Sequence, residues 1–377
     1  MAAALTRIAL LVAVALALVV AVVGSAAPPP VQAEAYVVQN ASTGEVLASL
    51  DERERLPIAS ITKLMTALVT LERVRPDEIV TVSRAAAAVG ESSIHLGSGE
   101  LISVGELLQA ALIQSANDAA NALASHVGGG SVARFVVLMN ARARELGLTE
   151  THFVNPDGLD APGHVSSAED VTKLARVAMR KPFIRQTVAT YETTVAGRRL
   201  VNWNDLLSRS PHVLGVKTGH TDGAGWSQVA AARGGGVTIY ATLLGGASRE
   251  GRNTDLAELL DWGLDRYRTV WIVTAKRIYA TATTAYGRPD VRLVAAAPAL
   301  RVVRVDRPLV ERVVAPRQVS LPVRRGQPLG EVQVLAGNEV VARSPLVAAE
   351  SVERPDAFGR VGFYAGRTIH HLGGLLG

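Results

Sequence analysis

The stretch Ser60-Ile61-Thr62-Lys63 places a hydroxyl and a primary amine three residues apart, inside a segment, residues 58–73, whose pattern predicts a helix. A serine becomes an effective nucleophile when a neighbouring base takes its proton, and a lysine that has lost its own proton can be that base. Lysine is scarce here, because the 39 lysines and arginines include five lysines and therefore 34 arginines. Arginine keeps its proton at working pH, so the stretch predicts Ser60 as nucleophile and Lys63 as its base.

Two further motifs follow along the chain. Ser115-Ala116-Asn117 lies within residues 104–124, an apolar segment with helical spacing that begins after Ser103 with a capping-box pattern. Lys217-Thr218-Gly219 lies in a turn-rich stretch, residues 214–225, ahead of a predicted pair of strands. Each motif alone is a weak signal, but together they supply the nucleophile, base, proton relay and oxyanion donors that acyl transfer needs.

The side chains of these motifs divide the chemical roles among themselves. Ser115 can pass a proton to the leaving group, and Asn117 can hold an amide of the substrate. Lys217 and Thr218 can bind an anionic group of the substrate. We expect burial and the like charge of Lys217 to lower the pKa of Lys63, which would make Lys63 available as a base.

The backbone near these motifs supplies the remaining parts. Gly219 lets its strand approach the substrate closely, and the N–H groups of Ser60 and His220 can form an oxyanion hole. We interpret His220 as a backbone contributor whose ring packs locally, with catalysis by the ring as the alternative. Asp118, directly after the second motif, is interpreted as a structural residue.

Four segments of the chain resemble those of the penicillin-interacting serine D-alanyl-D-alanine carboxypeptidases, the low-molecular-mass penicillin-binding proteins. They are Pro57-Ile-Ala-Ser-Ile-Thr-Lys-Leu-Met-Thr66, Gln114-Ser-Ala-Asn-Asp-Ala-Ala120, Thr151-His-Phe-Val-Asn-Pro-Asp-Gly-Leu159 and Gly215-Val-Lys-Thr-Gly-His-Thr-Asp222. The chain departs from the family at Ala116, where glycine is usual. Arg252 matches a family arginine that lies near the terminal carboxylate of the substrate, and Arg198 is a looser match for a second one.

The resemblance implies an α+β fold: a β-lactamase/transpeptidase-like catalytic domain, with an antiparallel sheet flanked by helices, followed by a small all-β domain. It also implies removal of the terminal D-Ala from peptidoglycan stem pentapeptides through an acyl-enzyme on Ser60, the serine that β-lactams would acylate. We expect no cofactor. We also expect no metal, since the chain has no cysteine and its histidines show no ligand spacing.

Three other functions use the same motifs. A D,D-endopeptidase would use these residues on cross-linked peptides, through a wider groove that the sequence does not reveal. A class A β-lactamase needs a carboxylate to activate the deacylating water, and no E-x-x-L-N-type loop stands between Asn117 and Lys217. A non-catalytic protein that binds the cell wall would be expected to have lost Ser60 or Lys63, and both are present.

The chain is predicted to have four regions. Residues 1–33 are interpreted as a secretory signal peptide, because Arg7 precedes an apolar run and Val31-Gln32-Ala33 suits signal peptidase. A retained N-terminal anchor is the alternative. Residues 34–268 are predicted as the D,D-peptidase catalytic domain, and residues 269–352, with short β-branched runs between turns, as an all-β domain.

The fourth region, residues 353–377, is predicted to be an amphipathic membrane-anchor tail, with a frayed terminus as the alternative. Its apolar stripe at helical spacing comprises Phe358, Val361, Ala365, Ile369, Leu372 and Leu376. After Val270 there are 15 Lys/Arg and 8 Asp/Glu, a net of +7, so the +5 of the whole chain leaves −2 for the rest. We therefore expect an exported protein, periplasmic or on the outer face of the bacterial cytoplasmic membrane, that is peripherally anchored to anionic lipid and does not bind nucleic acid.

Overall fold

The computed structural model of the protein describes residues 16–18 and 27–364. The described residues divide into two units, residues 27–266 and residues 267–364, the second of which also takes in residues 16–18. The predicted signal peptide is described only at residues 16–18 and 27–33, and the rest of it lies outside the described residues.

The secondary structure alternates short strands with helices in the first unit and is almost entirely β in the second. The strands are β1 (Leu16–Leu18), β2 (Ala35–Asn40), β3 (Val46–Leu50), β4 (Ile79–Thr81), β5 (Leu101–Ser103), β6 (Glu192–Val195), β7 (Arg198–Val201), β8 (Val213–Thr221), β9 (Gly225–Gly234), β10 (Val237–Gly246), β11 (Tyr267–Val273), β12 (Ile278–Ala282), β13 (Val291–Ala295), β14 (Ala299–Arg304), β15 (Leu309–Val314), β16 (Pro328–Ala336) and β17 (Glu339–Ala348). The helices are α1 (Lys63–Leu71), α2 (Arg84–Ala87), α3 (Val104–Gln109), α4 (Asn117–Val127), α5 (Val132–Glu145), α6 (Ala168–Ala178), α7 (Pro182–Val188), α8 (Leu206–Arg209) and α9 (Arg249–Asp265).

The first unit is built on a five-stranded antiparallel sheet in the order β3-β2-β10-β9-β8. Helix α9 packs against β9 and β10, and α6 packs against β2 and β10. The predicted strand pair before α9 is confirmed as β9 and β10. The stretch 214–225 is not the turn-rich segment that was predicted: most of it is β8, an edge strand, because its residues pair with β9 from Val213↔Ala232 to Thr221↔Gly225.

The segment around the first motif is helical but in two parts. Residues Ala59–Thr62 form a single 3₁₀ turn, and α1 begins only at Lys63. Eight of the nine residues of α1 are buried, including Leu64, Met65 and Leu68. Because the helix is buried on nearly every face, tertiary packing rather than intrinsic propensity holds it in place.

The single helix predicted for residues 104–124 is wrong. The predicted capping box of Ser103 and Glu106 is confirmed at the start of α3, but a π turn over Ala110–Gln114 interrupts the helix. Ser115 then takes a left-handed conformation with φ 64°, and α4 starts at Asn117. Contacts outside the helix fix this break, since the N–H of Asn117 donates to the carbonyl of Ser92 at 2.7 Å.

The second unit contains a six-stranded antiparallel sheet in the order β1-β15-β16-β17-β13-β12 and the two-stranded pair β11-β14. Its own core is formed by buried side chains that include Val291, Leu293, Val332 and Leu346. The chain continues into a helical segment, residues 357–364, where Phe358 and Val361 are 88% and 69% exposed. The remaining residues of the predicted apolar stripe lie outside the described part of the chain.

Within residues 16–18 and 27–364, no single helix has the length and apolar character needed to cross a membrane. The successive helices α4 and α5 meet that requirement only when counted together, across a bend of 88°.

Candidate active site

The amine of Lys63 contacts three other residues of the site. Its Nζ donates to Ser60 Oγ at 2.7 Å, to Asn117 Oδ1 at 2.8 Å and to the carbonyl oxygen of Asp157 at 2.6 Å. Its side chain is fully buried. Since an ammonium has three N–H donors, the three acceptors fix the amine in one position beside the serine hydroxyl. The structure therefore brings Ser60 and Lys63 into the contact that a nucleophile and its base require.

The two buried lysines of the site differ in their electrostatic surroundings. Burial lowers the pKa of Lys63 to about 8, against the opposing effect of the carboxylates of Asp157, Glu91 and Asp118. The pKa of Lys217 lies well below its ordinary value, because of burial first and then the positive charges of Lys63 and Arg252. Burial thus lowers the pKa of Lys63 as expected, and the expected repulsion between the two lysines is present as well, where it lowers the pKa of Lys217.

Ser115 and Lys217 form the second hydroxyl–amine pair. Lys217 Nζ donates to Ser115 Oγ at 2.9 Å and to the carbonyl of Thr218 at 3.0 Å. Both side chains are almost inaccessible, with relative exposures of 7% for Ser115 and 2% for Lys217. The left-handed backbone of Ser115 at the break between α3 and α4 turns its hydroxyl toward β8, so the pair depends on that break.

Strand β8 passes very close to the nucleophile turn. A Cβ atom on Gly219 would lie 2.7 Å from the carbonyl oxygen of Ile58 and 3.2 Å from the backbone nitrogen of Ser60. Only glycine fits this approach without moving the strand. The exposed His220 ring stacks on Trp226 with ring centroids 3.9 Å apart, which agrees with local packing of the ring.

Asn117 and Asp118 at the start of α4 hold the opposite side of the site. Besides accepting from Lys63, Asn117 donates through Nδ2 to the carbonyl of Gly90 at 3.1 Å. The buried carboxylate of Asp118 accepts from Ser93 Oγ at 2.7 Å and from the N–H of Leu96 at 3.0 Å. Asp118 thus fixes the loop that precedes β5, in keeping with its interpretation as a structural residue.

A cavity of about 240 Å³ opens onto these groups. Of the predicted site residues, those that line it are Ser60, Ser115, Thr218, Gly219, His220 and Arg252. Ser92, which the sequence suggests as a residue at the border of the site or in a surface turn, also lines the cavity, and three further lining residues carry no predicted role: Trp203, Trp226 and Arg249. The two tryptophans were missed, although the chain has only four and Trp203 is 43% exposed. A partly exposed tryptophan is a signal of a binding surface, but exposure is not visible in a sequence.

Arg252 lies in the first turn of α9 and is 2% exposed. Its guanidinium bonds the side chain of Asn253, from Nη2 at 2.7 Å, and lies 3.8 Å from the carboxylate of Asp205. Burial lowers its pKa to about 10, so it stays positively charged beside the cavity at neutral pH. Arg249 is instead held by Asp205 through two hydrogen bonds of 2.8 and 2.6 Å and lies over the Trp203 ring.

Arg198, the looser match for a second arginine of this kind, has another role. Its guanidinium binds both oxygens of Glu100 at 2.8 and 3.0 Å, and it is not among the residues that line the cavity. The structure does not bring Arg198 to the cavity, because the β6–β7 pair that carries it places the side chain at Glu100. In the part of the chain that the structure describes, no group of three or more His, Cys, Asp or Glu is arranged to hold a metal ion.

Two hydroxyl–amine pairs beside a cavity, with a K-T-G strand on one wall and a buried arginine at its end, define a serine acyl-transfer enzyme of the transpeptidase and β-lactamase class. The model of the peptidase S11 family, described as D-alanyl-D-alanine carboxypeptidase, matches residues 22–248. The chain belongs to this family.

Similar proteins extend over both units. The D-alanyl-D-alanine carboxypeptidase DacD of Salmonella typhimurium is 33% identical over 354 residues, which cover 89% of this chain and 90% of that protein. The structure of DacD from Francisella tularensis matches with a TM-score of 0.65 at 25% identity, over 89% of this chain and 97% of that one. Penicillin-binding protein 5 of Haemophilus influenzae matches with a TM-score of 0.64 at 26% identity, over 87% and 99%. The predicted fold class, a transpeptidase-like α+β domain with a second β domain, is confirmed.

Proposed function

We propose that this serine peptidase removes the terminal D-Ala from peptidoglycan stem pentapeptides through an acyl-enzyme on Ser60. The observation that carries the proposal is the 2.7 Å contact between the buried Lys63 amine and Ser60 Oγ at the wall of the cavity. The family and the names of its relatives support the same reaction.

The steps follow from the contacts. Neutral Lys63 takes the proton of Ser60 as Oγ attacks the carbonyl of the D-Ala–D-Ala bond. The N–H groups of Ser60 and His220 receive the oxyanion. Ser115 relays a proton to the leaving nitrogen, D-Ala departs, and water hydrolyses the ester on Ser60, which restores the free serine.

The part of the cavity lined by Thr218 and Arg252 suits the carboxylate of the terminal D-Ala. Lys217 lies behind this lining, with its amine on Ser115 Oγ and on the carbonyl of Thr218, and Arg252 has a pKa high enough to remain charged. A carboxylate that binds near Lys217 also favours its protonated form, which offsets the effect of burial. The anionic group that β-lactams carry fits the same positions, so we assign penicillin to the same site.

Mass spectrometry of the penicillin-treated protein tests the assignment of the nucleophile. The adduct is expected on the peptide that contains Ser60, and Ser60→Ala should abolish it. The exposed Ser320, in the second unit, provides the control, since Ser320→Ala should leave labelling unchanged. An adduct on another peptide, or none on the wild-type protein, would overturn the assignment.

A D,D-endopeptidase is the second candidate because the same groups would cut a D-Ala cross-link. Release of D-Ala from a pentapeptide and cleavage of a cross-linked dimer, measured side by side, separate the two reactions. We expect the pentapeptide to react faster. Faster cleavage of the dimer would assign the enzyme to the endopeptidases.

We further propose that residues 1–33 direct export, that residues 34–268 and 269–352 are the catalytic and all-β domains, and that residues 353–377 hold the enzyme on the outer face of the cytoplasmic membrane.

The exposed Phe358 and Val361, together with the net positive charge of the chain after Val270, support the membrane anchor. Deletion from Phe358 onward should move the protein from the membrane fraction to the soluble fraction, and the double change Phe358→Ser with Val361→Ser should weaken binding. A truncated protein that stays with the membrane would contradict the anchor.

A further inference from the structure

A buried carboxylate of the loop that contains residues 155–160 lies next to the proposed base. Asp157 is 4% exposed, and its backbone carbonyl is one of the three acceptors of the Lys63 amine, at 2.6 Å. The following residue, Gly158, has φ +89°, and a Cβ atom there would lie 1.9 Å from the carbonyl oxygen of Ala59. The backbone of this loop therefore packs directly against the turn that carries Ser60.

The carboxylate of Asp157 fixes this loop from two sides. Its Oδ1 accepts from the N–H of Leu159 at 3.0 Å, and its Oδ2 accepts from Asn121 Nδ2 at 2.5 Å. Asn121 Nδ2 also donates to the carbonyl of Asn117 at 2.9 Å, and Asn117 is another acceptor of Lys63. The side chain of Asn121 thus connects Asp157 and Asn117, the two residues that each accept a hydrogen bond from the Lys63 amine.

The groups that face Lys63 differ in how strongly they can act on its charge. Asp157, Glu91 and Asp118 favour the charged amine, and Lys217 is the neighbouring amine, whose charge would oppose it. Glu91 is exposed, so water screens it, and the carboxylate of Asp118 is engaged by Ser93 and Leu96. The nearby His164 is neutral at working pH, since burial lowers its pKa to about 4. Asp157 is the carboxylate that is both buried and part of a residue in contact with the amine.

We propose that Asp157 is a positioning residue: its carboxylate holds its own carbonyl on the Lys63 amine and keeps that amine charged in the resting enzyme, so that it sets the pH at which Lys63 becomes available as a base. The inference rests on the proposed role of Lys63 as base. It concerns the side chain at position 157, because any residue there would offer a backbone carbonyl.

The pH dependence of acylation by a fluorescent penicillin tests the proposal. Asp157→Asn removes the charge and keeps the size of the side chain, so the ascending limb of the rate should move to lower pH by about one unit. Glu91→Gln is the matched control, since it removes an equal charge from an exposed position and should move the limb much less. If the acylation rate of Asp157→Asn rises over the same pH range as that of the wild-type enzyme, the proposal is overturned, even if the rate is lower at every pH.

A second variant, Asn121→Ala, tests the proposal independently if Asp157→Asn does not fold. Asn121→Ala removes the restraint on Oδ2 and leaves the negative charge, so acylation should slow while the limb stays at the wild-type pH. A limb that moves down in Asn121→Ala would contradict the assigned role of the charge. Failure of the wild-type enzyme to be acylated at Ser60 would instead reject the proposed function, which keeps the two failures distinct.

Discussion

Lys217 Nζ donates to Ser115 Oγ at 2.9 Å although the two residues are 102 positions apart in the chain. The lysine comes from the edge strand β8, and the serine comes from the left-handed break between α3 and α4. Neither element was predicted correctly in its local form. The pair exists because two tertiary features, strand pairing with β9 and the interrupted helix, direct both side chains into the same buried space.

Lys63→Arg should abolish turnover. The guanidinium keeps its proton at all working pH values and cannot accept the proton of Ser60. We expect D-Ala release to fall by about 100-fold or more, which is the usual loss when a general base is removed. Lys173→Arg, at an exposed lysine of α6, is the control and should release D-Ala normally. Near-normal turnover by the Lys63 variant would reject its role as base.

Acid should destabilise the catalytic unit through His164. Its Nδ1 accepts from the N–H of Val154 at 3.1 Å, so Nε2 carries the proton in its 2.7 Å bond with Thr62. Burial lowers the pKa of His164 from 6.5 to about 4, so below pH 6.5 the unfolded chain binds a proton that the folded protein does not. Stability is therefore present above pH 6.5 and is lost as pH falls toward 4.

The expected loss from this histidine is about 2 kcal/mol between pH 7 and pH 5. Denaturant unfolding at the two pH values measures it. His164→Gln should show a smaller difference between them, whereas the same change at the exposed His95 should leave the wild-type difference in place. An equal pH dependence in the His164 variant would show that other groups control acid unfolding.

Gly219→Ala should impair acylation because the new methyl group would lie 2.7 Å from the carbonyl oxygen of Ile58. Strand β8 must then move away from the Ser60 turn, and misplacement of catalytic groups by about 1 Å costs roughly 100-fold in rate. Penicillin acylation kinetics give the readout. Gly90→Ala serves as control, since a Cβ there meets no atom within 4 Å. Unchanged acylation in Gly219→Ala would mean that the strand tolerates the shift.

Arg252 and Arg198 should respond differently to the same substitution. Arg252→Gln removes a buried charge from the cavity, and a lost charged hydrogen bond lowers kcat/KM for a pentapeptide by about 10- to 100-fold. Arg198→Gln breaks an ion pair with Glu100 away from the cavity lining, so kcat/KM should change little. Steady-state kinetics of D-Ala release compare the two variants. A larger effect at Arg198 would reverse the assignment that the structure supports.

The parts of the site that the sequence predicted are those written as local motifs. Ser60 and Lys63 are three residues apart, so helical geometry alone brings them together. The capping box at Ser103 and Glu106 was equally predictable, because both partners lie in one turn. The restraints on Asp157 could not be predicted, since its partner Asn121 is 36 residues away and nothing in the local pattern links them.

The sequence by itself determined the chemistry: two serines, two lysines, one asparagine and one glycine in three short motifs, together with the family that these motifs resemble. Only the tertiary structure decided which hydroxyl each lysine contacts, which arginine lies at the cavity, and where the helix of the second motif breaks. The physical reason is that pKa values, buried ion pairs and strand contacts depend on distances between residues far apart in the chain. The stretch Ser60-Ile61-Thr62-Lys63 identifies the nucleophile and its base. The carboxylates and the carbonyl that the fold places around Lys63 set the pKa of its amine.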